Sequence, residues 1–117
     1  MQIDLSHTYE IGGFLASCLV DSNSGLMLAS EGGGSLDLEA VAALNTNFLK
    51  AKLAAIDALG LNDHVEDILI TLGRQVHFIR PMDKVRGAFL YVALEKKAAN
   101  IGMARIQVRK IENSLSF

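Results

Sequence analysis

The order of elements in this chain predicts an α/β (α+β) sandwich in which a five-stranded antiparallel sheet is flanked by a long helix and a C-terminal helix. Five short segments of aliphatic, β-branched or aromatic residues are bounded by turn residues, which indicates strands. A long helical pattern separates the second strand from the third, and a shorter one closes the chain. No linker or repeat interrupts the 117 residues, so residues 1–117 are expected to form a single domain.

The first two strands are predicted to form a hairpin over about residues 13–30. "GFLASCLVD" (13–21) is almost continuously apolar and too short for a buried helix, which favours a central strand. "SNSG" supplies turn residues, and Gly25 can adopt the positive φ that closes a short hairpin. "LMLAS" returns as the second strand, and the glycines at 32–34 form a flexible lead into the helix.

The remaining elements are a long helix, a three-stranded meander and a closing helix. The long helix spans about 36–59, with Ser35 placed to cap its first turn and Gly60 ending it. Strands are predicted at 65–72, 75–80 and 87–94, separated by turn signals at the spacing of a meander. The last helix, at about 99–114, carries one stripe that should face the core: Ile101, Ala104, Val108, Ile111 and Leu115.

The composition favours a cytoplasmic protein and argues against two classes of partner. A formal net charge of -2 is too small to indicate nucleic acid or a membrane surface as the main partner. The single cysteine, Cys18, cannot form an intramolecular disulfide and suits a reducing compartment. We identify no signal peptide and no run of about eighteen apolar residues, so membrane insertion is not expected.

Two stretches resemble ion-binding loops, and neither has the required spacing. If Asp21 began a calcium loop, positions that need oxygen ligands would be occupied by Gly25 and Gly32. The last glycine of the 32–34 run is not followed by the lysine of a phosphate loop, and Glu31 and Asp37 would repel a phosphate. We therefore interpret both loops as structural and expect no metal and no cofactor.

No catalytic constellation is evident in the sequence. His7, His64 and His77 belong to three different predicted elements, and none is beside Cys18 or at a metal-ligand spacing. Cys18 lies in the middle of an apolar strand, which is the usual setting of an inert buried thiol. We therefore predict that the protein is not an enzyme and has no catalytic residues.

A basic cluster precedes and enters the last helix. Its members are Lys96, Lys97, Arg105, Arg109 and Lys110, and no acidic residue occurs between 96 and 111. No aromatic residues interleave with these cations, which argues against nucleic-acid binding. A solvated helix face and a surface for an acidic protein partner are the interpretations that remain.

The long helix has two apolar faces. At about 3.6 residues per turn, a broad face of large residues is predicted to cover the sheet: Leu38, Val41, Leu44, Phe48, Leu49, Leu53, Ile56 and Leu59. The other face has small residues at steps of three and four: Ala40, Ala43, Asn47, Ala51, Ala54 and Ala58. Small residues at that spacing let a second helix approach closely, although alanine is also the best helix former for an exposed face.

The strand at 65–72 offers a second candidate interface. "ILITL" contains no lysine or proline, so an exposed edge here would tend to pair with another chain. Together with the small-residue face of the helix, it predicts a two-fold homodimer whose sheet continues across the interface. The strand residues assigned to this interface are Val65, Asp67, Leu69 and Thr71.

Three longer stretches, "GFLASCLVDSNSGLMLAS", "DILITLGRQVHFIRPM" and "FLYVALEKKAANIGMARIQV", resemble the opening hairpin, the middle strands and the closing strand and helix of one family. That family is the roadblock family, named for dynein-associated light chains and including small stand-alone bacterial proteins. The resemblance runs from about Gly12 to Leu115 and implies a dimer formed through the long helix and the third strand. Relatives usually begin with a fuller N-terminal helix, whereas only about residues 3–9 could form one here.

The resemblance also implies a role in binding and regulating Ras-like small GTPases, or in scaffolding assemblies that contain them. Several arginines have the chemistry of an arginine finger, and nothing in the sequence selects one of them; they include Arg74, Arg80, Arg86 and Arg105. The alternative is a small-molecule-sensing domain, because related sandwiches bind ligands between sheet and helix. A sensor needs converging polar groups, for which His77, Tyr91 and Asn45 are the candidates.

Overall fold

Five strands form one antiparallel sheet with a helix on each face, which confirms the predicted fold class. The computed structural model describes residues 3–115. Along the sheet the strand order is β2-β1-β5-β4-β3, and each neighbouring pair is antiparallel. The elements are β1 (Phe14–Asp21), β2 (Leu26–Gly32), α1 (Leu38–Ala58), β3 (Ile68–Thr71), β4 (Gln75–Pro81), β5 (Ala88–Glu95) and α2 (Ile101–Ser114), with short 3-10 helices at Ser6–Glu10 and Lys96–Ala98.

The start of α1 differs from the prediction. Asp37, rather than Ser35, caps the helix, and its Oδ1 accepts a hydrogen bond from the backbone N–H of Ala40 at 3.2 Å. The predicted Ser35 cap is wrong because the backbone N–H of Leu36 donates to the carbonyl of Gly33 at 2.7 Å, which holds this stretch in a turn ahead of the helix.

Two other boundaries are shorter than predicted. Only Ile68–Thr71 pair with β4, so the residues at 65–67 lead into β3 without joining the sheet. α2 begins at Ile101 because Asn100 caps it, with its side-chain oxygen accepting from the N–H of Met103 at 3.0 Å. The N-terminal segment forms a 3-10 helix at Ser6–Glu10, which begins later than the predicted helix at about residues 3–9 and ends one residue beyond it.

α2 and the N-terminal 3-10 helix cover one face of the sheet. The predicted core stripe of α2 is confirmed, with Ala104, Val108 and Ile111 buried and Leu115 buried just after the helix. These residues pack in one cluster with alternate residues of β4 and β5: Val76, Phe78, Leu90, Val92 and Leu94. Each large apolar side chain buried here stabilises the fold by about 1.5–3 kcal/mol before conformational entropy is subtracted.

α1 covers only part of the opposite face, where it lies over β1 and β2. Ala42 and Leu49 pack in a second cluster with Cys18 and Tyr91 of the sheet. Thr46 is buried beside them, and its hydroxyl donates to the carbonyl of Ala42 at 2.7 Å, so this hydroxyl is not left unpaired in the core.

The predicted apolar face of α1 is wrong in its orientation. Leu44 and Phe48, which should have covered the sheet, are 68% and 42% exposed. The helix is rotated so that Ala42 and Thr46 face inward, and this rotation turns Leu44 and Phe48 away from the sheet. Large residues that resemble a core face are therefore left on the surface.

Gly32 occupies a position where a larger residue is expected to destabilise the fold. Its φ is 66°, and a Cβ at this position would lie 2.5 Å from the carbonyl oxygen of Leu15. Gly32→Ala should lower the free energy of unfolding by about 2–4 kcal/mol, because backbone strain and a steric clash add. Gly34→Ala is the matched control: its φ is 51° and nothing lies within 4 Å, so strain alone of about 1–2 kcal/mol is expected. Urea denaturation compares the two, and equal losses would contradict the clash.

Candidate interaction surfaces

The last turns of α1 extend beyond the sheet. The helix begins beside Gly33 at one end of β2 and passes Gly25, in the turn at the other end, by the time it reaches Thr46. Within Lys50–Ala58, which we call the α1 overhang, every residue is exposed except the half-buried Ile56. A helix end without neighbours to pack against gains little from tertiary contacts, so this segment is suited to packing on something outside the chain.

An apolar stripe runs along the outer side of α1. It consists of Leu44, Phe48, Ala51 and Ala55, all exposed, and we call it the α1 stripe. Its steps of four, three and four residues are those of a helix that packs against another helix. Sequence reasoning missed the stripe because it assigned the two large members to the sheet, although the spacing itself was a signal.

The small-residue face predicted from the sequence lies next to the α1 stripe. Its members Ala43, Asn47, Ala51, Ala54 and Ala58 are exposed, and Ala40 is half-buried. The stripe and the small-residue face share Ala51 and together form one largely uncovered side of the helix. A second helix could therefore approach α1 from either of two adjoining directions.

β3 lies at one edge of the sheet, where β4 is its only partner among residues 3–115. The N–H of Leu72 donates to the carbonyl of Gln75 at 2.8 Å. Because bonding direction alternates along an antiparallel strand, the backbone groups of Leu69 and Thr71 point away from β4 toward the open edge. The side chains alternate too, and Ile68 and Ile70, which were not among the predicted interface residues, pack on the α1 side.

Asp67 and Val65 lie just before this edge strand. Val65 is half-buried, and Asp67 faces the α2 side, where its Oδ2 is 3.0 Å from Nε of Arg105 and 3.6 Å from Nη1 of Arg80. The side chain of Asp67 is therefore engaged within its own chain. If β3 pairs with another chain, Asp67 would contribute by holding the segment that leads into β3 in place.

A buried ion pair continues this network into the core. Nε of Arg80 donates to Oε1 of Glu112, and both side chains are buried. The second oxygen of Glu112 accepts from the backbone N–H of Asp83 at 3.1 Å. The pair joins β4 to α2 and, through Asp67, to the segment that leads into β3. Because its guanidinium is buried and paired, Arg80 cannot act as an arginine finger.

The β3–β4 half of the sheet is only partly covered on the α1 side. Ile70, Gln75 and His77 are half-buried there. A groove of about 1130 Å³ lies at this end of the sheet, lined by Leu15, Leu72, Gly73, Arg74, Gln75, Glu95, Lys96 and Lys97. Its charged residues are exposed on the rim and do not converge on an enclosed ligand, so the groove gives the small-molecule-sensing alternative no specific support.

The outer face of α2 combines apolar and basic residues. Met103 and Ile106 are 55% and 51% exposed, and Arg109 and Lys110 are exposed beside them. Arg105 lies on the same helix and binds Asp67. The sequence identified the cations but not the exposed apolar pair at their centre. This surface lies on the side of the sheet opposite α1.

The groups that could do chemistry are buried or dispersed. Cys18 is fully buried, and burial raises the pKa of its thiol to about 12, so the thiolate is not available at neutral pH. Across residues 3–115, no three His, Cys, Asp or Glu side chains group in a way that could hold a metal ion. Within the same range, no helix is long and apolar enough to cross a bilayer.

Comparison with known proteins identifies the fold through structure alone. No model of a known protein family matches the sequence, and no curated protein matches it. Solved structures do match. A roadblock/LC7 domain from Streptomyces avermitilis superposes with a TM-score of 0.80 at 16% identity, covering 92% of this chain and 87% of that one.

Two further matches are proteins called MglB. The Myxococcus xanthus MglB has a TM-score of 0.76 at 17% identity, covering 86% of this chain and 78% of its own. An MglB with a tetrameric arrangement has a TM-score of 0.81 at 18% identity, covering 94% of this chain and 80% of that one. The fold of the chain is therefore of the roadblock type, as the sequence resemblance implied.

Proposed function

We propose that this chain is a cytoplasmic, homodimeric and non-catalytic module that binds a Ras-like small GTPase, either to regulate its GTP hydrolysis or to scaffold an assembly that contains it. The observation that carries the proposal is the uncovered side of α1, which lies on the same side of the sheet as Ile68 and Ile70 of the open edge strand. Contiguous exposed apolar surface of this kind marks a protein interface. The roadblock-type fold supports the GTPase as partner, because the resemblance implies that role.

A two-fold dimer accounts for both features at once. If the β3 strands of two copies pair antiparallel, the axis between them stands perpendicular to the sheet. Both α1 helices then lie on the same face of one continuous sheet and run in opposite directions. The α1 stripe and the small-residue face become available for helix–helix packing.

The same rotation gives the α1 overhang a place to pack. The overhang projects past its own sheet at the end where β3 begins. Because the two-fold axis reverses the strand direction, the partner's sheet presents on that side the end where its β3 finishes. There, the β3–β4 half of the α1 side is only partly covered and the groove beside Gln75 is open.

A dimer built in this way leaves the outer face of α2 free for the GTPase. The α2 helices lie on the other face of the sheet, so the exposed Met103 and Ile106 and the cations around them stay accessible. Apolar residues ringed by charge are typical of interfaces that form and dissociate. A partner with an acidic surface would be attracted by the cations.

The function is tested by affinity capture of small GTPases from native lysate, run once with a non-hydrolysable GTP analogue and once with GDP. Mass spectrometry should identify a small GTPase that is retained in one nucleotide state and not in the other. Recovery of only the chain itself would contradict the GTPase half of the proposal. Light scattering on the purified protein tests the homodimer separately.

Substitutions on α2 should weaken GTPase binding without affecting self-association. Met103→Glu combined with Ile106→Glu replaces two apolar residues with charges that oppose an acidic partner, and a loss of about tenfold or more in affinity is expected. Both residues are more than half exposed, so the melting temperature should hardly change. The double variant is compared with the parent by titration against the captured GTPase. Unchanged affinity would remove α2 from the proposed interface.

A further inference from the structure

Three polar side chains interrupt the apolar face of the sheet on the α1 side. Nε2 of His77 lies 2.8 Å from Oε1 of Gln75, and Nδ1 lies 3.3 Å from the hydroxyl of Tyr91. The imidazole also stands edge-on to the Tyr91 ring, with centroids 5.3 Å apart and an interplanar angle of 69°. His77 is half-buried and lies opposite Ile70 of the edge strand on one side and Ala93 on the other.

Neutral His77 satisfies both of these contacts. Gln75 accepts through its carbonyl oxygen, so Nε2 must carry the proton, and Nδ1 is then free to accept from the Tyr91 hydroxyl. Burial, followed by the charge of the Cys18 thiolate, raises the pKa of Tyr91 to about 12, so the phenol remains a donor at neutral pH. Protonating Nδ1 of His77 would remove the acceptor of this hydroxyl.

We propose that protonation of His77 opposes self-association, so that the homodimer forms at neutral pH and dissociates on mild acidification. The inference rests on the proposed homodimer, in which the α1 overhang of the partner covers the half-exposed floor around His77. Covering an imidazolium ion removes it from water and costs free energy unless a counter-charge is supplied.

Among residues 3–115, no group around His77 supplies that counter-charge. Within the chain, Tyr91, Gln75 and Ile70 face the ring, and none is anionic near neutral pH. Glu95 is opposite Gln75 in register but is exposed, where its attraction is screened by water and salt. Arg74, on the rim of the same groove, is positive and also exposed, so its repulsion is screened in the same way.

The partner's overhang is expected to bring a cation rather than an acid. Residues that continue the buried face of α1 past Leu49 at steps of three and four are Lys52, Leu53 and Ile56. A two-fold axis perpendicular to the sheet keeps this same face directed at the partner's strands. Lys52, about 60° round the helix from Leu49, would further disfavour a charged His77, whereas Asp57 lies farther round on the opposite margin, at about 80°.

The sign of the pH effect follows from these environments. Burial already lowers the pKa of His77 within one chain. Further burial in the dimer lowers it again, so the dimer binds fewer protons than two monomers, and acid favours the monomers. In acid, each pKa unit by which the dimer lowers His77 further raises the dimer dissociation constant by about tenfold for one site. Each dimer contains the site twice, so the combined factor is about a hundredfold.

The test measures the dimer dissociation constant by sedimentation between pH 7.5 and pH 5.5 for the parent chain and for His77→Gln. As the pH falls over this range, the dimer dissociation constant of the parent chain is expected to rise by about tenfold or more. The dissociation constant of His77→Gln should change little. His7→Gln and His64→Gln are the matched controls, since both imidazoles are exposed and should leave the parent response intact.

NMR titration of the parent protein provides a second measurement that needs no variant. The pKa of the His77 ring should be lower at a concentration where the chain is dimeric than at one where it is monomeric. A dimer that forms at pH 7.5 but responds to pH equally in the parent and in His77→Gln would overturn this inference alone. A chain that stays monomeric at pH 7.5 would overturn the proposed homodimer, and this inference with it.

Discussion

Leu44→Glu combined with Phe48→Glu is expected to convert the homodimer into a folded monomer. Each large apolar side chain buried at an interface contributes up to about 1.5–3 kcal/mol, and a two-fold interface contains each residue twice. The two carboxylates would also have to lose water without gaining a partner. Allowing for incomplete burial, the dimer dissociation constant should rise by about a thousandfold or more.

Light scattering and sedimentation measure this change, and thermal melting checks that the variant is folded. Leu26→Glu with Leu28→Glu is the matched control, because these β2 residues are 66% and 44% exposed, much as Leu44 and Phe48 are. The control should remain dimeric. If both pairs left the oligomeric state unchanged, the uncovered side of α1 would not be the interface.

A related pair of variants distinguishes the two adjoining faces of α1. Ala51 belongs to both the α1 stripe and the small-residue face, whereas Ala54 belongs to the small-residue face alone. Ala51→Glu with Ala54→Glu should also break the dimer if the small-residue face is the contact. Because Ala51 is shared, a second variant, Ala43→Glu with Ala54→Glu, changes the small-residue face alone. If the dimer is lost in the Leu44 and Phe48 variant but not in this second variant, the contact is centred on the large residues.

The second large effect is expected from the buried pair Arg80 and Glu112. Glu112→Ala removes the carboxylate that accepts from Arg80 and from the backbone N–H of Asp83, and leaves a buried guanidinium with only the more distant Asp67. Breaking one partner of a buried pair costs about 3–5 kcal/mol, a large share of the roughly 5–15 kcal/mol that stabilises a typical domain. Urea denaturation should show a marked fall in midpoint.

Two comparisons identify the cause of that loss. Glu66→Gln changes an exposed carboxylate in the same region and should alter the free energy of unfolding by less than about 0.5 kcal/mol. Arg80→Leu combined with Glu112→Leu removes both charges, and should be more stable than Glu112→Ala because no buried charge is left without its partner. A double variant as unstable as the sum of the single ones would instead point to lost packing.

The parts of the fold that local chemistry decides could be predicted from the sequence. The hairpin closed by Gly25, the succession of elements along the chain and the core stripe of α2 all follow from turn residues and periodicity within one segment. The edge position of β3 was also anticipated. Each of these depends on residues that are near one another in the chain.

The orientation of α1 could not be predicted in this way. Thr46 looks like a surface residue, and only its hydrogen bond to the carbonyl of Ala42 lets it enter the core. Leu44 and Phe48 look like core residues, and their exposure follows from how the helix rotates on β1 and β2. A hydrophobic pattern shows which residues avoid water but not whether the same chain or another covers them.

The ion pair between Arg80 and Glu112 could not be predicted from the sequence either. Alternation along β4 places Arg80 on the face that α2 covers, but no local signal indicates Glu112 as its partner. The two side chains meet because the sheet order and the position of α2 bring distant segments together. The small GTPase proposed as partner likewise depends on the resemblance rather than on a motif with its own chemistry.

The sheet order also has a consequence for how the chain folds during synthesis. β1 lies between β2 and β5, with Asp21 opposite Ala88, so β1 meets its second neighbour only after all the segments between β2 and β5 have been made. Pairings between segments so far apart are slow to form, and an apolar strand waiting for its neighbour is prone to aggregate. Production of this protein should therefore be sensitive to the speed of translation and to chaperones that shield the nascent hairpin.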